Sequence, residues 1–146
     1  MSTRIILADD NAEVRSGIRL LLKVAPDLKI VGEARNGLEA LRLVEELTPD
    51  VLLLDMEMPG LNGIEVTRRL RDQDSAVHIL ALSGHDDKQY IMGSLASGAS
   101  GYLIKEEAPE IIVDAIRGVA RGEQGWVSRS VAPKLDGWLD GDDKAS

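Results

Sequence analysis

Short apolar runs alternate with longer stretches in which apolar and polar residues are mixed. Four of the runs are nearly continuous: residues 5–8, 51–54, 77–82 and 102–104. Apolar runs of this length, with few polar interruptions, are typical of strands buried on both faces of a sheet. Residues 28–33 mix apolar and polar side chains, and we interpret them as a strand at the edge of the same sheet.

Between the runs, apolar residues recur every three or four positions, which predicts amphipathic helices. These stripes lie within residues 14–25, 38–47, 91–99 and 111–119, and a weaker one lies within residues 63–71. Residues that commonly begin or follow helices stand at the predicted boundaries: Pro26, Pro49, Pro109 and Gly122. The pattern therefore predicts five pairs of strand and helix.

Strands that alternate with helices over about 120 residues predict a parallel sheet, because parallel neighbours need long crossover connections. We expect an α/β fold with a doubly wound five-stranded parallel sheet and helices on both faces. After Gly122 the pattern changes: residues 127–139 are compatible with one short amphipathic helix, and the final GDDKAS is typical of a disordered tail. The expected organisation is one domain over residues 3–122, then a linker helix and a disordered acidic tail over residues 123–146.

Composition narrows the possible functions. With 146 residues and 44% hydrophobic content, the chain can form one domain around a single core. The net charge of −8 disfavours direct binding to nucleic acid or to acidic membranes. The absence of cysteine excludes disulfides and thiolate metal sites and is compatible with a reducing cytoplasm. The N-terminal apolar run is too short for a signal peptide or a membrane span, so we expect a cytoplasmic protein.

Side chains that can do chemistry follow four of the predicted strands. Asp9 and Asp10 follow the first strand, Asp55 ends the third, Ser83 follows the fourth and Lys105 follows the fifth. Because the carboxyl ends of parallel strands lie at one edge of a sheet, we expect these side chains to share one shallow cleft. Taken singly, each has a simpler explanation: Asp9 or Asp10 as a helix cap, Ser83 as a loop residue and Lys105 as a surface cation.

Asp55 is the most informative of these residues, because it continues the apolar run VLLL. A buried carboxylate is costly unless it is paired or bound to a metal, and several carboxylates in one cleft repel one another unless a cation lies among them. Oxygen ligands without a nearby His or Cys favour Mg²⁺. With Lys105 and Ser83 available to bind a phosphoryl group, the combination indicates formation of an aspartyl phosphate.

Four motifs occur in order along the chain: ADDN, LLLDMEMPGLNGIE, LALSG and GASGYLIK. At this spacing they resemble the receiver domains of bacterial two-component response regulators, and the resemblance covers about residues 3–122. It implies a flavodoxin-like fold with strand order 2-1-3-4-5. It also implies a signalling domain that is loaded by a sensor histidine kinase in a Mg²⁺-dependent reaction and catalyses only its own phosphorylation and dephosphorylation.

The resemblance also implies how the acceptor and the metal are bound. Asp55 would be the phosphoacceptor and one ligand of Mg²⁺. Asp10 would be a second, direct ligand, and Asp9 would act mainly through water. The backbone carbonyl of Glu57 would complete the ligands that the protein provides.

The same resemblance implies how the phosphoryl group changes the domain. Ser83 would hold the phosphoryl group, Lys105 would pair with it, and Tyr102 would change rotamer on activation. Glu57 and His85 stand where the family tunes the lifetime of the phosphorylated state, although His85 is equally well explained as an exposed loop residue. We expect phosphorylation to pair two chains, through the fourth helix, fifth strand and fifth helix or through the first and fifth helices.

The sequence KEEAPEIIVDAIRGVARGEQGWVS, residues 105–128, is similar to the NarL/FixJ subfamily, whose members carry a LuxR-type helix-turn-helix domain. This chain departs from the subfamily, because an acidic tail stands where a linker and a basic DNA-binding domain would follow. We favour an isolated receiver of a longer transcription regulator over a stand-alone receiver that signals by protein contact. We expect no direct binding of DNA by this chain, and in a longer regulator DNA would be bound only through the output domain that is missing here.

Three other functions agree less well with the sequence. A haloacid-dehalogenase-like phosphatase also uses an Asp nucleophile, but on the first strand, whereas Asp55 is on the third. A flavodoxin-like carrier of a nucleotide or flavin needs a phosphate-binding loop after the first strand, where ADDN would repel phosphate. A pseudo-receiver would have lost phosphorylation, although all the active positions are present in this chain.

Overall fold

A computed structural model of the chain describes residues 2–145, with side chains described as far as residue 138. Strands and helices alternate along this part of the chain. The elements are β1 (Thr3–Ala8), α1 (Ala12–Leu22), β2 (Leu28–Ala34), α2 (Gly37–Leu47), β3 (Val51–Asp55), α3 (Gly63–Asp72), β4 (His78–Ser83), α4 (Lys88–Ala96), β5 (Gly101–Ile104), α5 (Ala108–Ala120), β6 (Trp126–Val127) and α6 (Val131–Ala145).

The strands of the described residues form one parallel sheet in the order β2-β1-β3-β4-β5-β6. The doubly wound α/β fold is therefore confirmed, and β2 lies at the edge as expected. The expected number of five strands is wrong, because β6 adds a sixth beside β5 through the pairs Gly101 with Trp126 and Tyr102 with Val127. A two-residue strand held by backbone pairing leaves no periodic pattern of side chains in the sequence.

Two apolar cores lie on opposite faces of this sheet. Side chains alternate along β3, so that Leu52 and Leu54 enter one core while Val51 and Leu53 enter the other. Residues of α2, α3 and α4 complete the first core, and residues of α1 and α5 complete the second. All five residues of β3 are buried, including Asp55 at its end. The uninterrupted VLLL run is therefore the consequence of burial on both faces.

The chain changes sides after α5. Whereas α5 packs on the second core, Val131 at the start of α6 is fully buried in the first core. The helix predicted over residues 127–139 is observed as Val131–Ala145, because residues 126–127 form β6 instead. Residues 141–145, which the sequence predicts to be part of a disordered tail, belong to the backbone of α6 instead, and residue 146 lies outside the described residues. None of the described helices is both long and apolar enough to cross a membrane.

Candidate functional site

The carboxyl edge of the sheet brings together the ionisable residues that the sequence singled out. Lys105 Nζ lies 3.2 Å from Asp9 Oδ2 and 3.3 Å from Asp55 Oδ1. Oxygens of Asp9, Asp10 and Asp55 all lie within 4.8 Å of one another. Three strand ends, those of β1, β3 and β5, therefore build one cluster of three carboxylates and one ammonium group.

The backbone around Asp55 fixes the direction of its carboxylate. The N–H of Glu57 donates a hydrogen bond to Asp55 Oδ1 at 3.0 Å, and the N–H of Met56 donates to the Leu82 carbonyl at 2.9 Å. Gly63 starts α3 directly against this turn, and a Cβ at Gly63 would lie 2.9 Å from the Asp55 carbonyl oxygen and 2.7 Å from Met56 Cα. Glycine is therefore needed here so that the helix can approach the acceptor turn.

Asp9 and Asp10 differ in their surroundings. Asp9 is fully buried, and its Oδ1 accepts a hydrogen bond from the N–H of Asn11 at 2.9 Å. Its Oδ2 has no hydrogen-bond partner among the described residues, although Lys105 lies close to it. Asp10 is exposed, and the cap of α1 is Asn11, which accepts from the N–H groups of Glu13 and Val14. The simpler explanation of Asp9 or Asp10 as the helix cap is therefore wrong, and both carboxylates remain available for a ligand.

The surroundings of Asp55 change its acidity. Burial raises the pKa of Asp55 to about 6, the charge of Asp9 adds to this rise, and the Glu57 N–H and Lys105 oppose it. Burial alone would lower the pKa of Lys105, but the charges of Asp55 and Asp9 outweigh burial and raise it. At neutral pH Asp55 is therefore mostly ionised, and Lys105 beside it is protonated.

The donor set fits a magnesium ion. The cluster offers carboxylate oxygens only, and one of them, Asp9 Oδ2, is buried without a hydrogen bond. Lys105 supplies a single positive charge beside these three carboxylates, so a divalent cation would balance the negative charge that remains. Hard divalent cations prefer oxygen ligands, so Asp9, Asp10 and Asp55 are the residues that could hold Mg²⁺.

Glu57 connects the acceptor turn to the end of β4, a link that the sequence did not predict. Ser83 Oγ donates a hydrogen bond to Glu57 Oε1, and the N–H of Gly84 donates to the same oxygen at 2.9 Å. His85 Nε2 lies 3.9 Å from this oxygen, and the His85 ring stacks on Tyr90 with centroids 4.3 Å apart. The family resemblance implied a role for the backbone carbonyl of Glu57 and for its position two residues after Asp55 in tuning the phosphorylated state, but it did not predict this contact with Ser83.

Tyr102 of β5 is hydrogen-bonded to the loop that follows β4. Its side chain is fully buried, and its hydroxyl donates to the His85 carbonyl at 2.8 Å. Burial is the main cause that raises the pKa of Tyr102 to about 12, so the phenol stays protonated. The His85 N–H donates to Ser83 Oγ at 3.0 Å. Hydrogen bonds therefore join Ser83 to His85 and His85 to Tyr102.

Comparisons with known proteins agree with this architecture. The family described as "Response regulator receiver domain" matches residues 5–117. The nitrate/nitrite response regulator protein NarL of Escherichia coli is 38% identical over 131 residues, which cover 90% of this chain and 60% of NarL. The transcriptional regulatory protein DegU of Brevibacillus brevis is 40% identical, with 82% of this chain and 50% of DegU covered. This chain thus spans about half to three fifths of the length of these curated relatives.

Solved structures show the same fold. The crystal structure of a LuxR-family two-component response regulator from Aurantimonas sp. SI85-9A1 superposes with a TM-score of 0.87 at 34% identity and covers the whole of both chains. A LuxR-family DNA-binding response regulator from Staphylococcus aureus gives 0.76 at 30% identity, covering 81% of this chain and 98% of the other. With the sheet order, the acidic cluster and the motif order, these matches show that the chain belongs to the response regulator receiver domains, with relatives of the NarL and LuxR type.

Proposed function

We propose that the domain accepts a phosphoryl group from the phosphohistidine of a sensor kinase onto Asp55, in a reaction that depends on Mg²⁺. The observation that carries this proposal is the position of Asp55. Its side chain is 2% exposed, fixed by the Glu57 N–H, and placed against Lys105 and two further carboxylates. With a pKa of about 6, the carboxylate is mostly ionised at neutral pH and can act as a nucleophile.

Residues of this chain supply the nucleophile, the positive charge and the hydrogen-bond donors that the phosphoryl transfer requires. One oxygen of Asp55 attacks phosphorus while the bond from phosphorus to the kinase histidine nitrogen breaks, and the histidine takes up a proton from solvent. Lys105 is already within 3.3 Å of Asp55 and would balance the charge of the incoming group. Ser83 and the Gly84 N–H are the donors available for phosphoryl oxygens once Glu57 releases them. Mg²⁺, held by Asp9, Asp10, Asp55 and the Glu57 carbonyl, supplies further positive charge when bound.

Phosphorylation then changes the loop after β4. Ser83 would leave Glu57 for the phosphoryl group, and the linked His85 carbonyl and Tyr102 would move with it. Water later hydrolyses the acyl phosphate and resets the domain. In a longer protein of the NarL or LuxR type, this change would control transcription through a helix-turn-helix domain in the cytoplasm, and DNA would be bound by that domain only.

A mass measurement tests the acceptor. After incubation with Mg²⁺ and acetyl phosphate, we expect one added phosphoryl group in the intact chain and none in Asp55→Asn. Asp72→Asn, which changes an exposed aspartate of α3, is the matched control and should be modified like the original chain. A phosphoryl group on Asp55→Asn, or none on the original chain from acetyl phosphate or a kinase, would refute the proposal. Steady turnover of phosphate esters would instead favour the phosphatase alternative.

Pairing of two chains is the second part of the proposal. Leu20 on α1 and Val24, two residues beyond the end of α1, are 66% and 80% exposed, an unusual position for two apolar side chains four residues apart. They favour the face formed by α1 and α5 over the face formed by α4, β5 and α5. Size-exclusion chromatography should show a larger species after phosphorylation, and Leu20→Ser should prevent it. An unchanged elution volume at full phosphorylation would exclude pairing.

A further inference from the structure

The residues that follow α5 are anchored to β5 by backbone hydrogen bonds. We refer to residues 126–138, which comprise β6 and the described part of α6, as the C-terminal segment. The Trp126 N–H donates to the Ser100 carbonyl at 3.3 Å, and the Ser128 N–H donates to the Tyr102 carbonyl at 3.2 Å. Ser128 is fully buried, and its Oγ accepts from the Ile104 N–H at 2.8 Å. The segment thereby provides hydrogen-bond partners for backbone groups along the outer edge of β5.

Apolar side chains add a second set of contacts. Val131 is fully buried in the first core, and Val127 and Trp138 pack against the same core. That core includes Ile91 of α4 and Tyr102 of β5. The C-terminal segment therefore covers part of the sheet face on which α4 packs, next to β5.

Polar contacts attach the segment to two loops at the carboxyl edge. Lys134 Nζ lies 2.6 Å from Asp86 Oδ2 in the loop between β4 and α4. Ser130 Oγ donates to Glu107 Oε1 at 2.7 Å, at the start of α5. The Asp86 and Lys134 side chains are 62% and 41% exposed, so their ion pair can be broken without burying a charge.

The loop of residues 83–87 is shared between these contacts and the acceptor site. Ser83 at its start binds Glu57, the His85 carbonyl accepts from Tyr102, and Asp86 binds Lys134. Tyr102 is shared as well, because its hydroxyl reaches the loop while its carbonyl accepts from Ser128. A movement of Ser83 toward a phosphoryl group on Asp55 would consequently disturb the docking of the segment at two points.

We propose that the outer edge of β5 and the loop of residues 83–87 form a docking surface for the chain's own C-terminal segment, and that phosphorylation of Asp55 weakens this docking. The inference rests on the proposed function for its trigger, whereas the docking itself rests on contacts of the unphosphorylated chain. Phosphorylation thus releases the segment from the sheet and uncovers the β5 edge. Because the coupling between two sites is reciprocal, weaker binding of the C-terminal segment to this surface also makes phosphorylation of Asp55 more favourable.

Hydrogen exchange in the full chain tests the release. Amide exchange of residues 126–138 is measured by mass spectrometry with Mg²⁺ alone and with Mg²⁺ and acetyl phosphate, while intact mass gives the phosphorylated fraction. We expect exchange in this segment to rise at least tenfold on phosphorylation and to stay unchanged in Asp55→Asn. Full phosphorylation with unchanged exchange of the segment would overturn the inference.

A variant separates the docking from the proposed function. Lys134→Met removes the contact with Asp86, and Arg129→Met removes an exposed cation of the same segment as the matched control. In the unphosphorylated chain, Lys134→Met should raise exchange of the segment roughly two- to fivefold, as expected for a partly exposed ion pair, and Arg129→Met should not. Absence of any phosphoryl adduct would refute the proposed function. Equal amide exchange of the C-terminal segment in both variants would instead refute its docking on the loop of residues 83–87.

Discussion

Replacement of Asp55 by asparagine should stabilise the fold, and the gain should depend on pH. Asparagine resembles the protonated carboxylic acid in size and cannot ionise, so the variant removes the cost of a buried negative charge. The pKa of Asp55 is raised from 3.8 to about 6. The protonated carboxyl group therefore stabilises the folded chain compared with the ionised group. This contribution to the free energy of unfolding is fully present below pH 3.8 and is lost as the pH rises through about 6.

The magnitude follows from these two values. Each pH unit between them corresponds to about 1.4 kcal/mol, so at pH 7.5 the ionised carboxylate lowers the free energy of unfolding by about 3 kcal/mol. At pH 4.5, where Asp55 is largely protonated in the folded chain, about 1 kcal/mol of this difference remains. Asp55→Asn should therefore be more stable than the original chain by about these amounts, since Asp9 loses a repelling neighbour while Lys105 keeps Asp9 as a partner.

Urea unfolding followed by circular dichroism, with a chelator present, measures the difference at the two pH values. Asp72→Asn, an exposed aspartate on α3, is the control and should change the unfolding free energy little at either pH. Addition of Mg²⁺ at pH 7.5 should stabilise the original chain and reduce the gap, because the variant has lost one ligand. An Asp55→Asn chain that is less stable at pH 7.5, or a gap that does not shrink at pH 4.5, would refute the argument from the raised pKa.

Three further predictions concern the site. Lys105→Met should slow phosphorylation by acetyl phosphate at least tenfold, because the cation beside Asp55 is lost; an unchanged rate by intact mass would exclude this role. Glu57→Ala should be phosphorylated faster than Glu57→Gln, because alanine frees Ser83 whereas glutamine keeps an acceptor beside it, and equal rates would argue against this competition. Tyr102→Phe should lower the free energy of unfolding by about 1 kcal/mol, measured in urea, since the hydrogen bond to the His85 carbonyl is lost.

The sequence predicted the central part of the fold because there side-chain pattern and burial coincide. The VLLL run before Asp55 is buried on both faces of β3, and the positions of Asp9, Asp55 and Lys105 at strand ends were enough to predict one cluster. Their convergence follows from the geometry of a parallel sheet, in which the carboxyl ends of all strands share one edge. The sequence therefore predicted that these side chains converge.

Features that depend on single long-range contacts were not predicted. β6 consists of two residues whose partners are backbone groups of β5, and backbone pairing is independent of residue type. The contact of Glu57 with Ser83 joins the ends of two neighbouring strands, and spacing along the chain does not report it. Such details require coordinates because they arise from tertiary packing.

β6 also protects the sheet from unwanted association. A strand at the edge of a sheet presents a row of unpaired N–H and carbonyl groups, which can pair with strands of other molecules. Here Trp126 and Val127 occupy part of that row on β5, and Ser128 binds Ile104 further along. A shorter chain that ends at residue 122 would expose the edge of β5 and should aggregate more readily during concentration or storage. Soluble fragments for crystallisation or binding work should accordingly extend beyond Ser128.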